Sequence, residues 1–371
     1  MADERRTRVL VLFGGRSAEH DVSCVTASHV LAAMDGDRYD IVPVGIERTG
    51  QWVFAEDAAA ALAAGGGDLP PALTPAGPAV DPMPMILDRA AGNDAVPSGA
   101  APSATVVLPL LHGPFGEDGT VQGMLELADV PYVGAGVLGS ALAMDKAKAK
   151  EVTAQAGIAQ ARHLAYRADS IPGNVADVVG EALGFPAFVK PSNMGSSIGV
   201  SKVEDEAALL QALELALSYD EWVVIEEAVV AREIELAVIG NLEPRVSVPG
   251  EIVPAADFYD YDDKYNDGAA SEIIPADLTP EQTIEIQELA ATAYKVLRVE
   301  GMGRVDFLYE DGARGPLLNE INTIPGFTPI SMFPKLWEAS GVSYPELIDA
   351  LVELAVERHE RRSKRIRTTR G

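Results

Sequence analysis

Apolar and polar positions along this chain switch between a period near two and a period near 3.6, and the switches mark its elements. Val9–Phe13 is an unbroken apolar run that predicts a buried strand, and it leads into Gly14-Gly15. A helical stripe follows through positions 22, 25, 26, 30 and 33, with His29 on or near that apolar face. Strand, glycine turn and helix together predict the opening of an α/β domain. Residues ~55–103 are rich in Ala, Gly and Pro and predict a surface insertion, with a short strand over the segment PMPMILD. The run TVVLPLLHG resumes the sheet, and Val121, Met124, Leu125 and Ala128 outline the next helix. The first domain is expected to end near Val133.

The middle of the chain, 134–225, predicts one Lys-rich helix over ~139–156, a helix near 174–183 and a strand Phe185–Lys190. A Gly/Ser loop, a strand Val200–Val203, a helix over ~205–217 and a strand Trp222–Glu226 follow. In the last part, 226–371, REIELAVIGN and RVSVPGEIVP read as paired strands, and Thr279-Pro280-Glu281-Gln282 is a capping box with proline at the first helical position. A hairpin over 303–323 and a terminal helix near 344–360 close the chain.

Composition narrows the class. With 371 residues, 47% of them hydrophobic, the chain is long enough for two or three domains. No apolar run reaches the ~18–20 residues a bilayer requires, the N-terminal run is too short for a secretory signal, and one cysteine, Cys24, excludes an internal disulfide framework. A cytoplasmic location is expected. The net charge of −27 disfavours nucleic acid and anionic membranes as partners, and the basic tail ERHERRSKRIRTTRG reads as cations completing a helix C-terminus.

The candidate chemistry centres on the hairpin. Alternation puts Arg304 and Asp306 on one face of the first arm and Val305 and Phe307 on the other. On the returning arm, Leu317, Asn319 and Ile321 oppose in direction Leu318, Glu320 and Asn322. A turn centred near Ala313 sets Asp306 opposite Glu320 and Arg304 opposite Asn322. Two carboxylates ~4 Å apart repel by roughly 4 kcal/mol at an effective dielectric near 20. Either Arg304 neutralises the pair as a structural ion pair, or Asp306, Glu320 and the Asn322 carbonyl hold a hard divalent cation such as magnesium or manganese. Lys190 ends a strand before a loop containing Gly195, Ser196, Ser197 and Gly199, a pattern that suits phosphate oxygens or an ordinary turn. Lys146 lies on the Lys-rich helix. The lysine does not follow the glycines, so this is no Walker A loop; Gly14-Gly15 lacks dinucleotide-binding spacing, and no nucleophile elbow surrounds the serines. HGPFGEDG (112–119), DFYDYDDKYNDG (257–268) and NTIPGFTPISMFP (322–334) are further polar loops, the second with the character of a lid. Glu19 lies just past the first glycine turn, where α/β sheets bind ligands.

Taken in order, GGRSAEHDVS, HGPFGEDGTVQG, MDKAKAK, KPSNMGSSIGV, YDYDDKY and LRVEGMGRVDFL…LLNEINTIPG resemble the D-alanine–D-alanine ligases of the ATP-grasp fold over almost the whole length. The resemblance implies an α/β protein, α+β in its C-terminal part. An N-terminal parallel-sheet domain (1–133) would precede a two-part ATP-grasp unit (134–225 and 226–371) with a lid at ~257–271. It implies ATP as co-substrate, two magnesium or manganese ions, D-alanine as substrate, an acyl-phosphate intermediate and a homodimer. Carried residue by residue, Glu19 would hold the first substrate's ammonium group, with His112 nearby, and Glu19, Ser196 and Tyr265 would form a hydrogen-bonded network. Lys146, Lys190 and the lid's Lys264 would bind phosphates. Glu226, Glu227 and Val229 would contact adenine and Glu233 the ribose. Asp306, Glu320 and Asn322 would hold the metals, Arg304 and the Gly326 N–H would form an oxyanion hole, and Ser331 would bind the second substrate's carboxylate. The Lys264-Tyr265 pair is similar to that of D-alanine-using members and not to that of members joining D-alanine to D-lactate. Two other readings compete: another carboxylate–amine ligase of the same fold, and a non-catalytic nucleotide-binding protein.

Overall fold

In the computed structural model, residues 6–87, 104–253 and 271–365 are described. Their strands form three sheets. The first contains β1 (Thr7–Gly14), β2 (Tyr39–Ile46), β3 (Trp52–Phe54) and β4 (Thr105–Pro109) in the order β3-β2-β1-β4. β1 runs parallel to β2 and β4, as two-sided burial of its near-continuous apolar sequence demands. The second sheet is antiparallel: β5 (His163–Arg167), β6 (Ala187–Pro191), β7 (Ser201–Val203) and β8 (Trp222–Glu227), ordered β5-β8-β6-β7. The third holds β9 (Arg232–Gly240), β10 (Arg245–Val246), β11 (Gly250–Val253), β12 (Ser271–Ile273), β13 (Gly301–Glu310) and β14 (Gly315–Asn322). Its order is β12-β11-β9-β13-β14, with β10 on β9.

The helices are α1 (His20–Ala33), α2 (Glu56–Ala63), α3 (Pro82–Leu87), α4 (Thr120–Leu127), α5 (Val137–Met144), α6 (Lys146–Gln155), α7 (Val175–Ala182), α8 (Glu206–Leu217), α9 (Pro280–Val296), α10 (Met332–Ala339) and α11 (Tyr344–Ser363). Val9, Val11 and Phe13 of β1 share one core with Ile239 and Met302 of the third sheet and with Trp337 and Leu351 of the last two helices. That shared core joins the first and third sheets through α10 and α11. The opposite face of the first sheet packs on α4, and the far side of the third sheet packs on α9. Thr279 and Gln282 form the expected capping box of α9.

Several expectations change. PMPMILD contains helix α3, with Met85 and Ile86 in the core of the first sheet, because its apolar residues fall one turn apart. Leu73 and Val80 are buried as well, so the Ala/Pro-rich stretch up to residue 87 is partly core, and its remainder lies outside the described residues. The single Lys-rich helix is two. Asp145 leaves the helical conformation at ψ 97° and its carboxylate accepts from the Lys148 N–H, so α6 begins afresh at Lys146. On α1 the core face is Cys24, Ala27, Val30 and Leu31, whereas Val22, Val25 and Thr26 line a cavity; His29 is exposed.

The hairpin pairs Arg304 with Asn322 and Asp306 with Glu320, in the expected register. Beyond Asp306 the register shifts, so that Phe307 faces Leu318 and Asn319 is the extra residue of a β-bulge. The bulge turns Leu318 into the core beside Ile321, Val305 and Phe307, where strict alternation had placed it on the polar face.

Candidate active site

A cavity of about 620 Å³ opens where the loops of the first sheet meet the Gly/Ser loop and the third sheet. Glu19, His112, Lys146, Ser196, Arg304 and Ser331 line it, as do Glu320, Asn322 and Gly326. Segments more than 300 residues apart in sequence therefore converge on one space.

The first wall is built by Glu19, in the turn that precedes α1. Its carboxylate is buried and accepts a hydrogen bond from Ser196 Oγ of the Gly/Ser loop. Close approach needs glycine on both sides. A Cβ on Gly113, whose φ is +70°, would lie 2.3 Å from Glu19 Oε2, and one on Gly195 would lie 3.3 Å away. Ser196 itself takes a left-handed conformation (φ 50°), which aims its hydroxyl back across the cavity. Tyr265 and Lys264, the other expected members of this network and of the lid, lie outside the described residues.

His112 and Glu117 grip the segment that follows β14. The Ile324 carbonyl lies 2.9 Å from His112 Nδ1, and the Ile324 N–H donates to Glu117 Oε2 at 2.9 Å. Glu117 Oε1 accepts from the Gly113 N–H. Burial lowers the His112 pKa, with Glu19 pulling the other way, so the imidazole is neutral at pH 7. Burial, with Glu19 adding to it, pushes the Glu117 carboxyl up to about 7. Sequence reasoning passed over Glu117, although it sits inside HGPFGEDG.

The second wall is the hairpin. Arg304 Nε and Nη2 donate to the two oxygens of Asp306 at 2.8 and 2.7 Å, and Nε also lies 3.2 Å from Glu235 Oε2. The Asn322 amide nitrogen donates to Asp306 Oδ2 at 2.9 Å, and Lys146 Nζ lies 3.3 Å from Glu320 Oε2. Burial works against the charged guanidinium, but Asp306 and Glu235 outweigh it and hold the Arg304 pKa well above its ordinary value. Arg304 is thus an ion-pair partner of Asp306 here. Among the described residues no three acidic, His or Cys side chains form a ready-made metal cage. The donors still suit a hard cation: Asp306 and Glu320 are directly opposed, and the Asn322 carbonyl oxygen is left on the side away from its donating nitrogen. Glu235, opposite Asp306 on β9, was not anticipated.

Of the expected nucleotide residues, Lys146 on α6 lines the cavity. Lys190 on β6, Glu226 and Glu227 on β8, Val229 in the connection to β9 and Glu233 on β9 are not among its lining residues. Lys146 Nζ donates to the Met194 carbonyl at 2.7 Å, and the loop is tied to the start of α6 by Ser192, whose hydroxyl donates to Asp145. Glu226 is 4% exposed, with Lys150 Nζ 2.7 Å from one oxygen and Lys190 Nζ 2.6 Å from the other. Burial would raise its pKa, but the two lysines hold it far below the usual carboxylate range. Burial would likewise lower Lys190, and Glu226 raises it. Glu227 is bound by Arg162 Nε at 2.7 Å and Arg314 Nη1 at 2.6 Å. Both carboxylates expected at adenine are therefore engaged by cations, while Val229 and Glu233 flank them at intermediate exposure. Lys150, one helical turn after Lys146 in MDKAKAK, was missed because a helix lysine ordinarily faces solvent.

At the far end, Ser331 Oγ accepts from the Thr328 N–H at 3.2 Å and lies 2.8 Å from Thr328 Oγ1. A Cβ on Gly326 would lie 3.1 Å from Ser331 Oγ, so the loop passes close to this hydroxyl.

The chain is similar to known proteins over nearly its whole length. Residues 8–135 match the family model described as the D-ala D-ala ligase N-terminus, and 152–353 match the D-ala D-ala ligase C-terminus. The chain is 48% identical to the D-alanine--D-alanine ligase of Geobacillus kaustophilus over 96% of both chains. It is 46% identical to that of Kineococcus radiotolerans over 96% of this chain and 99% of the relative. Among solved structures, the D-alanine-D-alanine ligase from Coxiella burnetii superposes with a TM-score of 0.79 at 33% identity, covering 98% of each chain. The VanG D-Ala:D-Ser ligase from Enterococcus faecalis superposes at 0.78 and 33%, covering 95% of this chain and 100% of that one. The ATP complex of the Bacillus anthracis D-alanine--D-alanine ligase superposes at 0.70 and 26%, covering 96% and 99%. The chain belongs to the D-alanine–D-alanine ligase family.

Proposed function

We propose that this enzyme joins two D-alanine molecules into D-alanyl-D-alanine, converting ATP to ADP and phosphate, and so supplies a peptidoglycan precursor. The observation that carries the reading is the convergence of the Glu19–Ser196 contact with Arg304, Glu320 and Asn322 on one cavity. Glu19, an anion in a buried wall, suits the ammonium group of the first D-alanine, and the adjoining Val22 and Val25 give that wall an apolar side. The carboxylate of that molecule attacks the γ-phosphorus of ATP, the bond to ADP breaks, and an acyl phosphate results. The amine of the second D-alanine, whose carboxylate is assigned to Ser331, then attacks the acyl carbon. The tetrahedral intermediate expels phosphate with the C–O bonding pair, and the amine gives up a proton.

Lys146 and Lys190, with Lys264, are assigned to the phosphates, Glu226, Glu227 and Val229 to adenine and Glu233 to the ribose. Because the Glu226 and Glu227 carboxylates are already held by lysines and arginines, the backbone of β8 is the natural contact for the purine edge. Asp306 and Glu320 would share one divalent cation and Glu320 and Asn322 a second. Bound there, such ions neutralise the γ-phosphoryl group. Arg304 and the Gly326 N–H are assigned to the developing oxyanion, which requires donors already in place. Ser196 links the Gly/Ser loop to Glu19, and Tyr265 is assigned to the same network; excluding water from the site would protect the acyl phosphate from hydrolysis. A cytoplasmic location fits a reaction that consumes ATP.

Arg304→Ala tests the assignment. It is expected to keep ATP binding and lose about 10²–10³ in kcat; near-normal turnover would refute the role. The likeness to a D-Ala:D-Ser ligase makes the second substrate the point of choice. Turnover with D-alanine, D-serine and D-lactate as acceptors separates the readings, and preference for either of the latter two would reject the D-alanine assignment.

A further inference from the structure

We propose that Glu235 is a positioning residue that holds the Arg304 guanidinium in place when Asp306 is taken by a cation. The inference rests on the oxyanion role assigned to Arg304 above. β13 runs between β9 and β14, so Asp306 faces Glu235 on one side and Glu320 on the other. Across the sheet the order of charge is therefore Glu235, then Arg304 with Asp306, then Glu320 with Asn322. Arg304 is shared between the first two: it donates to both Asp306 oxygens and lies 3.2 Å from Glu235 Oε2. Asp306 Oδ2 already accepts from Arg304 Nη2 and from Asn322 Nδ2.

A divalent cation on Asp306 competes for those same lone pairs and repels the guanidinium. Arg304 then loses its bidentate partner at the step where it must stay fixed. Glu235 lies on the strand away from Glu320 and Asn322, is buried at 8% exposure, and lines the same cavity. A carboxylate there keeps a charge-assisted contact with Arg304 while Asp306 turns to the metal. It also draws Arg304 toward β9, away from the cations on the β14 side. The three carboxylates are spread over three strands, and they do not form a common cage among the described residues.

The test compares Glu235→Gln and Glu235→Ala with wild type and Arg304→Ala. Three readouts are taken: steady-state kinetics, Mn2+ titration followed by electron paramagnetic resonance with ADP present, and thermal unfolding. Glu235→Gln is expected to lower kcat about tenfold, with the KM for ATP and the Mn2+ affinity unchanged, and Glu235→Ala to lower kcat further. Combined with Arg304→Ala, Glu235→Gln should add no further loss, because both act through one guanidinium. The nearly isosteric Gln keeps the fold testable if the Ala variant unfolds. A fall of about tenfold or more in Mn2+ affinity would make Glu235 a metal ligand and overturn the proposal, as would unchanged kcat in Glu235→Gln. If Arg304→Ala itself keeps normal turnover, the underlying reading fails; if only Glu235→Gln does, this inference alone fails.

Discussion

Two buried charge clusters flank the cavity and differ in sign and in how their partners are shared. On the β6–β8 side, one carboxylate, Glu226, sits between two lysines, and each of its oxygens has its own cation. On the hairpin side, Arg304 and Lys146 contact three carboxylates, Asp306, Glu235 and Glu320, and Asp306 is divided among competing donors. The first has cations in surplus and suits phosphate. The second has anions in surplus and suits an added cation. In the first, each Glu226 oxygen keeps its own lysine, so the locked cluster holds the fold as well as presenting Lys190 to phosphate. In the second, Asp306 is divided among competing donors that a cation would displace.

The largest expected effect breaks the locked cluster. Glu226→Ala leaves Lys150 and Lys190 buried without their partner and should cost about 3–5 kcal/mol in urea unfolding. A loss under about 1 kcal/mol would mean the lysines find water, and the cluster is not locked. Asp306→Asn probes the other side. It should lower kcat by roughly 100-fold or more while leaving the unfolding midpoint nearly unchanged, because Arg304 retains Glu235. An equal loss of stability would erase the contrast.

Glu117 sharpens the comparison, since it is a carboxylate held by backbone N–H groups in place of lysines. Its folded pKa of about 7 stands above its ordinary 4.5, so the native state keeps the proton longer than the unfolded chain. The stabilisation is full below pH 4.5 and is lost as pH rises through 7. It amounts to at most about 3–4 kcal/mol before solvent screening reduces it. Glu117→Gln should flatten the decline in unfolding free energy between pH 5 and pH 8; an unchanged slope would show that Glu117 is ionised throughout that window.

Much of this arrangement was legible in the sequence. Apolar runs and glycine turns announce β1, the capping box announces α9, and alternation with turn placement sets the pairing of Arg304 with Asn322 and Asp306 with Glu320. What was hidden depends on tertiary contact. The bulge at Asn319 leaves no trace in a polar/apolar string, yet it decides that Leu318 faces the core. The break at Asp145 needs the KPSN loop, because Ser192 ties that residue to the start of α6. Lys150 and Glu235 gain meaning only when β8 and β13 bring Glu226 and Arg304 beside them. Val22 and Val25 look like core residues on a helical projection but line the cavity, because α1 turns Cys24, Ala27, Val30 and Leu31 to the core instead.

The most direct test of the central claim follows the oxygen. With D-alanine labelled with 18O in its carboxylate, the enzyme and ATP should release phosphate carrying one 18O, together with D-alanyl-D-alanine, because the carboxylate oxygen bonds to the γ-phosphorus and leaves with it. Unlabelled phosphate, or labelled phosphate with no dipeptide, would contradict the account.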